Sequence, residues 1–215
     1  MNKELAWLIL WYASHCDTYW EHIYGFSLQT TENFDWELKI RLADTELEDA
    51  IFEEVNILID KTNWINCNLH QNQFKGNSST NNVIKMLQIF REWAQPYSDI
   101  FFLPNESASN DDFIWLLRWY HENRTILNKS NRKIKINTID NPGVALSIYL
   151  ENFGFENIEL KSNSVHRNDN NWRTWWIRNQ IFDGCSSPLN FFEILNDFRN
   201  FIENNDQCPA HQLCQ

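Results

Sequence analysis

Between Phe34 and Leu42 the chain alternates without a break: Phe34, Trp36, Leu38, Ile40 and Leu42 are apolar, and Asp35, Glu37, Lys39 and Arg41 fall between them. Side chains of an extended backbone point to opposite faces in turn, so a period of two predicts a half-buried β-strand. A strand of this kind needs sheet neighbours and an apolar layer on one side only. The preceding stretch, Tyr24 to Thr31, supplies a hairpin partner through a turn at Thr31 to Asn33.

The residues after it change period. In "DTELEDAIFEEVNILID" (44–60), Thr45 and Glu48 have capping-box spacing, and Leu47, Ile51, Val55 and Leu58 form a helical stripe. Residues 61–82, rich in Asn, Ser and Gly, read as a long loop. Helices are expected from Lys3 to about His22, from Asn82 to Ala94 before Pro96, and over "NDDFIWLLRWYHENRTIL" (110–127). A helix is also expected over "PGVALSIYLENF" (142–153), with Pro at its first turn. Strands are expected at "DIFFLP", "RKIKINTID" and "FENIEL". Residues 170–205 read as two helices broken near "DGCSSP".

The fold expected from these elements is α+β: a helix-rich single domain around a small mixed sheet, with a central strand-helix-strand-helix-strand unit and parallel crossovers. With 215 residues, 43% hydrophobic and 15% aromatic, the chain can bury one substantial core. The expected domain is 1–205, with a flexible tail at 206–215. No internal repeat is evident at this level. The apolar run Leu5 to Ala13 is too short to span a bilayer, and Glu4 sits where a leader would be positive, so no membrane segment or leader is expected. Five scattered cysteines suit free thiols in a reducing cytoplasm.

A formal charge of −11 disfavours direct nucleic-acid binding, which normally uses a basic stripe, and favours a basic protein partner. On the helix expected at 45–60, Glu46, Asp49, Glu53 and Asp60 share a face without Lys or Arg. Like charges at helical spacing repel, so that face reads either as a docking surface for a cation-bearing partner or as plain acidic surface. In "NNWRTWWIRNQIF" (170–182) helical spacing gathers Trp172, Trp175 and Trp176 into one arc. The arc is either core or an aromatic anchor for a partner, for which Trp172 and Trp176 are the candidates.

Short Cys/His spacings at Cys67 and His70, and at Cys208, His211 and Cys214, are weak zinc candidates, and no metal is assigned. There is no phosphate loop, dinucleotide fingerprint or H-E-x-x-H motif, and only five glycines are available for close backbone approach, so no cofactor is expected. One stretch, "INTIDNPGVALSIYLENFGFE" (136–156), resembles the strand-helix segment near the end of GNAT-superfamily acetyltransferases, in Asn141, Ala145, Tyr149, Gly154 and Phe155. The resemblance implies a related strand-helix-strand geometry. The glycine-bearing acyl-CoA loop of that family is missing, with "PNESASNDD" in its place, so Tyr149 receives no catalytic role. The functional expectation is a non-catalytic acidic binding protein that neutralises a basic partner, such as an immunity protein or inhibitor of a cationic toxin, a nuclease for example. The alternative is a small enzyme, GNAT-like or zinc-dependent.

Overall fold

The computed structural model describes residues 3–100, 111–123, 133–151, 153–155 and 158–205. Within them the order is α1 (Glu4–His15), β1 (Phe26–Thr30), β2 (Trp36–Arg41), β3 (Val55–Asp60), β4 (Asn63–Leu69), β5 (Gln73–Ser78) and α2 (Val83–Ala94). Then come α3 (Asp111–Asn123), β6 (Ile134–Ile139), β7 (Gly143–Tyr149), β8 (Leu160–Asn168), β9 (Asn171–Arg178), β10 (Ile181–Ser186) and α4 (Phe191–Asn205). The strands form one ten-stranded sheet in the order β3-β4-β5-β2-β1-β6-β7-β10-β9-β8. Every pairing in it is antiparallel.

The expected helix-rich fold around a small mixed sheet is therefore overturned: the sheet is large and antiparallel, and no parallel crossover occurs in it. Several elements stand where the sequence places them: the β1–β2 hairpin, α2, the body of α3, β6 and α4. Four do not. Residues 45–60 turn and then enter β3; the Asn-rich stretch at 61–82 holds β4 and β5; the expected helix at 142–153 holds β7; and residues 170–186 form β9 and β10. The strand expected at "DIFFLP" falls largely outside the described residues.

Hairpin turns explain two of these differences. Gln71 and Asn72 (φ 50° and 54°), and Asn179 and Gln180 (φ 50° and 59°), are left-handed at both turn positions. That backbone fits tight hairpins, and asparagine tolerates it better than most residues. Asn-rich sequence here marks turns and the polar side of strands.

The two hairpins are 108 residues apart, and so is much else. "WLILWY" at 7–12 returns as "WLLRWY" at 115–120, and Phe74-x-Gly76-x-Ser78-Ser79 returns as Phe182-x-Gly184-x-Ser186-Ser187. Each half runs helix, five strands, helix, and the sheet reads β3-β4-β5-β2-β1 in one half and β8-β9-β10-β7-β6 inward from the other edge. The chain is thus an internal duplication, contrary to the expectation of no repeat.

The halves join through β1 and β6. Leu28 pairs with Ile136, its own counterpart, and Ser27 with Asn137 and Gln29 with Lys135 lie symmetrically about that pair. Threonines close both ends: the Ile134 amide donates to Thr30 Oγ1 at 3.0 Å, and the Phe26 amide donates to Thr138 Oγ1 at 3.2 Å. The two are the same contact seen from each half, the reciprocity of a two-fold interface.

Following paired residues across the sheet separates its faces, because direct cross-strand partners point the same way. Cys67, Gly76, Leu38, Leu28, Ile136, Leu146, Gly184 and Trp175 form one continuous row. This face carries the helices. Gly76 lies against Met86 of α2 and Gly184 against Ile194 of α4. Phe26 and Trp36, on the same face, meet Tyr12 of α1 and Tyr120 of α3 edge to face. Trp7, Trp11, Trp36, Tyr12, Phe74 and Phe182 are fully buried in the layer between, each worth roughly 1.5–3 kcal/mol or more of apolar burial. One residue over, the row Asn68, Lys75, Lys39, Ser27, Asn137, Ala145, Cys185 and Thr174 is polar or small. No described element covers that second face. No helix among the described residues is long and apolar enough to cross a membrane.

Candidate partner-binding surface

The one-signed segment from Asp44 to Asp60 carries seven acids and no Lys or Arg. The expected capping box does not form, and Thr45 and Glu48 instead accept from other amides in a turn. Thr45 Oγ1 accepts from the Leu47 amide, and Glu48 accepts from the Asp44 amide at 3.0 Å. Side chains that satisfy backbone donors locally compete with helical continuation in this way. Leu47 is buried, Phe52 packs against Phe74 and Trp93, and Trp93 Nε1 donates to the Ile51 carbonyl. These anchors turn the chain outward into β3, the sheet's first strand.

The four carboxylates singled out by the sequence now have distinct roles. Glu46 is internal in function: Trp11 Nε1 donates to it at 3.0 Å and His15 Nε2 lies 2.6 Å away. Burial raises its pKa, but the His15, backbone and Trp11 hydrogen bonds together outweigh burial and hold the carboxyl below its ordinary value. Asp60 accepts from both the amide and the hydroxyl of Thr62, each at 2.7 Å, which lowers its pKa. Asp49 and Glu53 are exposed and make no hydrogen bond or ion pair among the described residues. No lysine or arginine lies within ion-pair distance of any acid from Asp44 to Asp60 among those residues, and His15 is the one basic side chain that does.

The tryptophan cluster is resolved by the strand period. On β9, Trp175 faces the helices and stacks on Phe182 at 5.2 Å, whereas Trp172 and Trp176 point to the uncovered face, half-buried. Arg173, on the helix side, binds Glu193 at 2.7 Å and also Asp197, tying β9 to α4. The single helical arc expected for the three tryptophans does not exist. The structure also separates the two predicted contact groups. Asp60 on β3 and the Trp172/Trp176 pair on β9 are eight strand spacings apart, about 38 Å along the sheet at roughly 4.8 Å each.

The remaining candidates disperse. Cys67 is buried in β4, where burial alone pushes its thiol up to about 12, and His70 is exposed in the following turn. Cys208, His211 and Cys214 lie outside the described residues. Among the described residues no group of three metal-ligating side chains converges. The GNAT-like stretch is the β6–β7 hairpin, with Ala145 and Tyr149 on a strand, so the strand-helix-strand geometry implied by that resemblance is corrected.

One feature of this end of the molecule is missed by sequence reasoning. Of the expected helical stripe, Leu47 is buried and Val55 half-buried, but Ile51 is 86% exposed and Leu58 76%, and Ile59 beside them is 69% exposed. The signal that finds them is the β-branched run "VNILID", which fits a strand at least as well as a helix.

No curated protein and no solved structure matches the chain. Residues 5–95 and again 113–203 match the family described as Immunity protein 53. The two matches are displaced by the same 108 residues that relate the halves of the sheet. With most of its length covered by these two matches, the chain belongs to the Immunity protein 53 family.

Proposed function

We propose that the protein neutralises a cationic toxin, a nuclease being one candidate, by docking it against the acidic segment at the β3 end of the sheet. The observation that carries this reading is the surface itself: seven acids from Asp44 to Asp60, all exposed, with no lysine or arginine of the described chain paired to them. An uncompensated row of one sign accelerates encounter with a basic partner and fixes its register. Asp49 and Glu53 are the free contact carboxylates. Glu46 holds the segment in place, and Trp172 and Trp176 belong to a separate surface. The protein acts by occlusion and needs no chemistry of its own. The cytoplasm suits the free thiols of Cys16, Cys67 and Cys185.

The test is capture from the producing strain with the tagged chain, followed by identification of what co-elutes. The expected partner has a basic surface, is toxic to cells unless the chain is co-expressed, and binds less tightly as salt rises. Reversing Asp49 and Glu53 together to lysine weakens capture about tenfold or more at low salt, mainly through the association rate. An acidic partner, or capture unchanged by the double reversal, refutes the reading.

A further inference from the structure

The two edges of the sheet are counterparts in the duplication, yet they are chemically opposite. β8 ends the sheet on one side with Lys161, His166 and Arg167 along it, and its one exposed large apolar side chain is Leu160, at 36%. Charged, polar edges of this kind prevent strand-on-strand association. β3 ends the sheet on the other side and carries no charge between Val55 and Ile59. Asn56 through Asp60 are all exposed, Ile57 at 38%, Leu58 at 76% and Ile59 at 69%. Among the described residues no strand follows β3, so one side of its backbone is left for an added strand. Apolar in its middle, it is flanked by Glu53 and Glu54 before it and closed by Asp60, after which Lys61 stands in the turn to β4.

We propose that β3 is a docking edge on which an extended segment of the toxin adds as a further strand, apolar at its centre and bearing lysine or arginine at both ends. The inference rests on the toxin-binding reading and specifies how the partner is held. Main-chain hydrogen bonds supply the affinity of such strand addition and side-chain alternation supplies the selectivity. Charge selects the occupant. A second copy of this chain pairing β3 with β3 antiparallel would set Glu54 opposite Asp60 at both ends, and like charges placed opposite one another destabilise a strand pair, which Lys61 opposite Glu53 offsets only in part. A cationic segment meets carboxylates at both ends instead.

A short peptide with a valine and threonine centre and lysines at both ends serves as probe for the full-length chain, read by backbone amide hydrogen exchange. With peptide, the amides of 55–60 exchange about tenfold or more slowly, and those of β8 do not change. Leu58→Lys, at an exposed position that costs the fold little, removes the protection, and Leu160→Lys on the opposite edge retains it. Protection absent from β3, protection appearing on 160–168, or concentration-dependent self-association that Leu58→Lys abolishes overturns the proposal. This assay contains no toxin, so its failure leaves the toxin-neutralising reading standing. Failure of capture in the producing strain removes that reading without changing the exchange result.

Discussion

Gly76 and Gly184 occupy the same position in the two halves, each beneath the helix that follows its strand, and the duplication makes them a matched experiment. A Cβ added at Gly76 would sit 2.8 Å from Cγ and from Sδ of Met86. A Cβ added at Gly184 would sit 2.7 Å from Cγ2 of Ile194 and 3.3 Å from Cβ of Trp175. Both contacts are too close, but they differ in what has to move. The methionine side chain is unbranched and can turn its thioether aside. The isoleucine Cγ2 is fixed to a β-branched centre with essentially one helical rotamer, so α4 itself would have to shift. Overpacking of that kind costs about 1–3 kcal/mol, against roughly 0.4–1 kcal/mol gained by any Gly→Ala change through the unfolded chain. Gly184→Ala is therefore expected to lose about 1–2 kcal/mol net, and Gly76→Ala to stay within about 1 kcal/mol of the parent. Urea unfolding followed by tryptophan fluorescence and far-ultraviolet dichroism, with coincident transitions, measures the difference as a shift in midpoint at unchanged slope. In the double variant Gly184→Ala/Ile194→Ala the two losses are less than additive, because the clashing methyl has gone. A Gly76→Ala loss equal to or larger than that of Gly184→Ala refutes the reasoning.

Three further outcomes follow from the same structure. Thr30→Val and Thr138→Val each leave one seam amide without its acceptor, at 3.0 Å and 3.2 Å in the parent, and each should lower urea stability by about 1–3 kcal/mol. Glu46 has a lowered pKa in the folded chain, so its ionised form stabilises the fold at pH above the ordinary carboxylate range. That contribution is lost as pH falls through the lowered value, and melting temperatures across the acid range should show less pH dependence in Glu46→Gln than in the parent. Cys67, fully buried with its thiol pushed up to about 12, should be labelled by a thiol reagent at neutral pH only at the rate of opening of the sheet, as mapped by peptide mass analysis.

How far the sequence announces this fold depends on which face each residue serves. Phe34 to Leu42 is legible because inward apolar and outward charged residues alternate strictly, and β2 and its hairpin with β1 lie where that pattern puts them. β5 has the same inward set of Phe74, Gly76 and Ser78. There the inward side chains shrink along the strand because α2 presses on it, so the alternation vanishes from a hydropathy reading. In β9 two of the outward positions, 172 and 176, are tryptophans like the inward Trp175, which lets the three pass for a helical arc. The repeat is hidden for a related reason: Trp36 in one half is Val144 in the other, and Cys67 is Trp175, so only the glycine-serine and tryptophan-tyrosine motifs survive for the eye. The acidic segment is legible as chemistry, but it is not helical, because Thr45 and Glu48 bond the Leu47 and Asp44 amides in a turn instead of closing a capping box.

Many positions that face the helices agree between the halves, although Trp36 and Val144, Ile65 and Arg173, and Cys67 and Trp175 do not, whereas on the uncovered face most pairs differ and Trp64 and Trp172 are alike. Leu38 and Leu146, Ile40 and Ile148, Phe74 and Phe182, and Gly76 and Gly184 are inward pairs, alike because one packing geometry constrains them twice. Outward, Lys39 faces its counterpart Ser147, Arg41 Tyr149, Lys75 Asp183 and Asn68 Trp176. The edges diverge in the same manner, β3 aliphatic between acids and β8 polar and cationic. Edges as different as β3 and β8 do not offer one partner two equivalent seats. If strand addition at β3 holds the toxin, the complex contains one toxin per chain, and light scattering that finds two would place the contact on something the halves share.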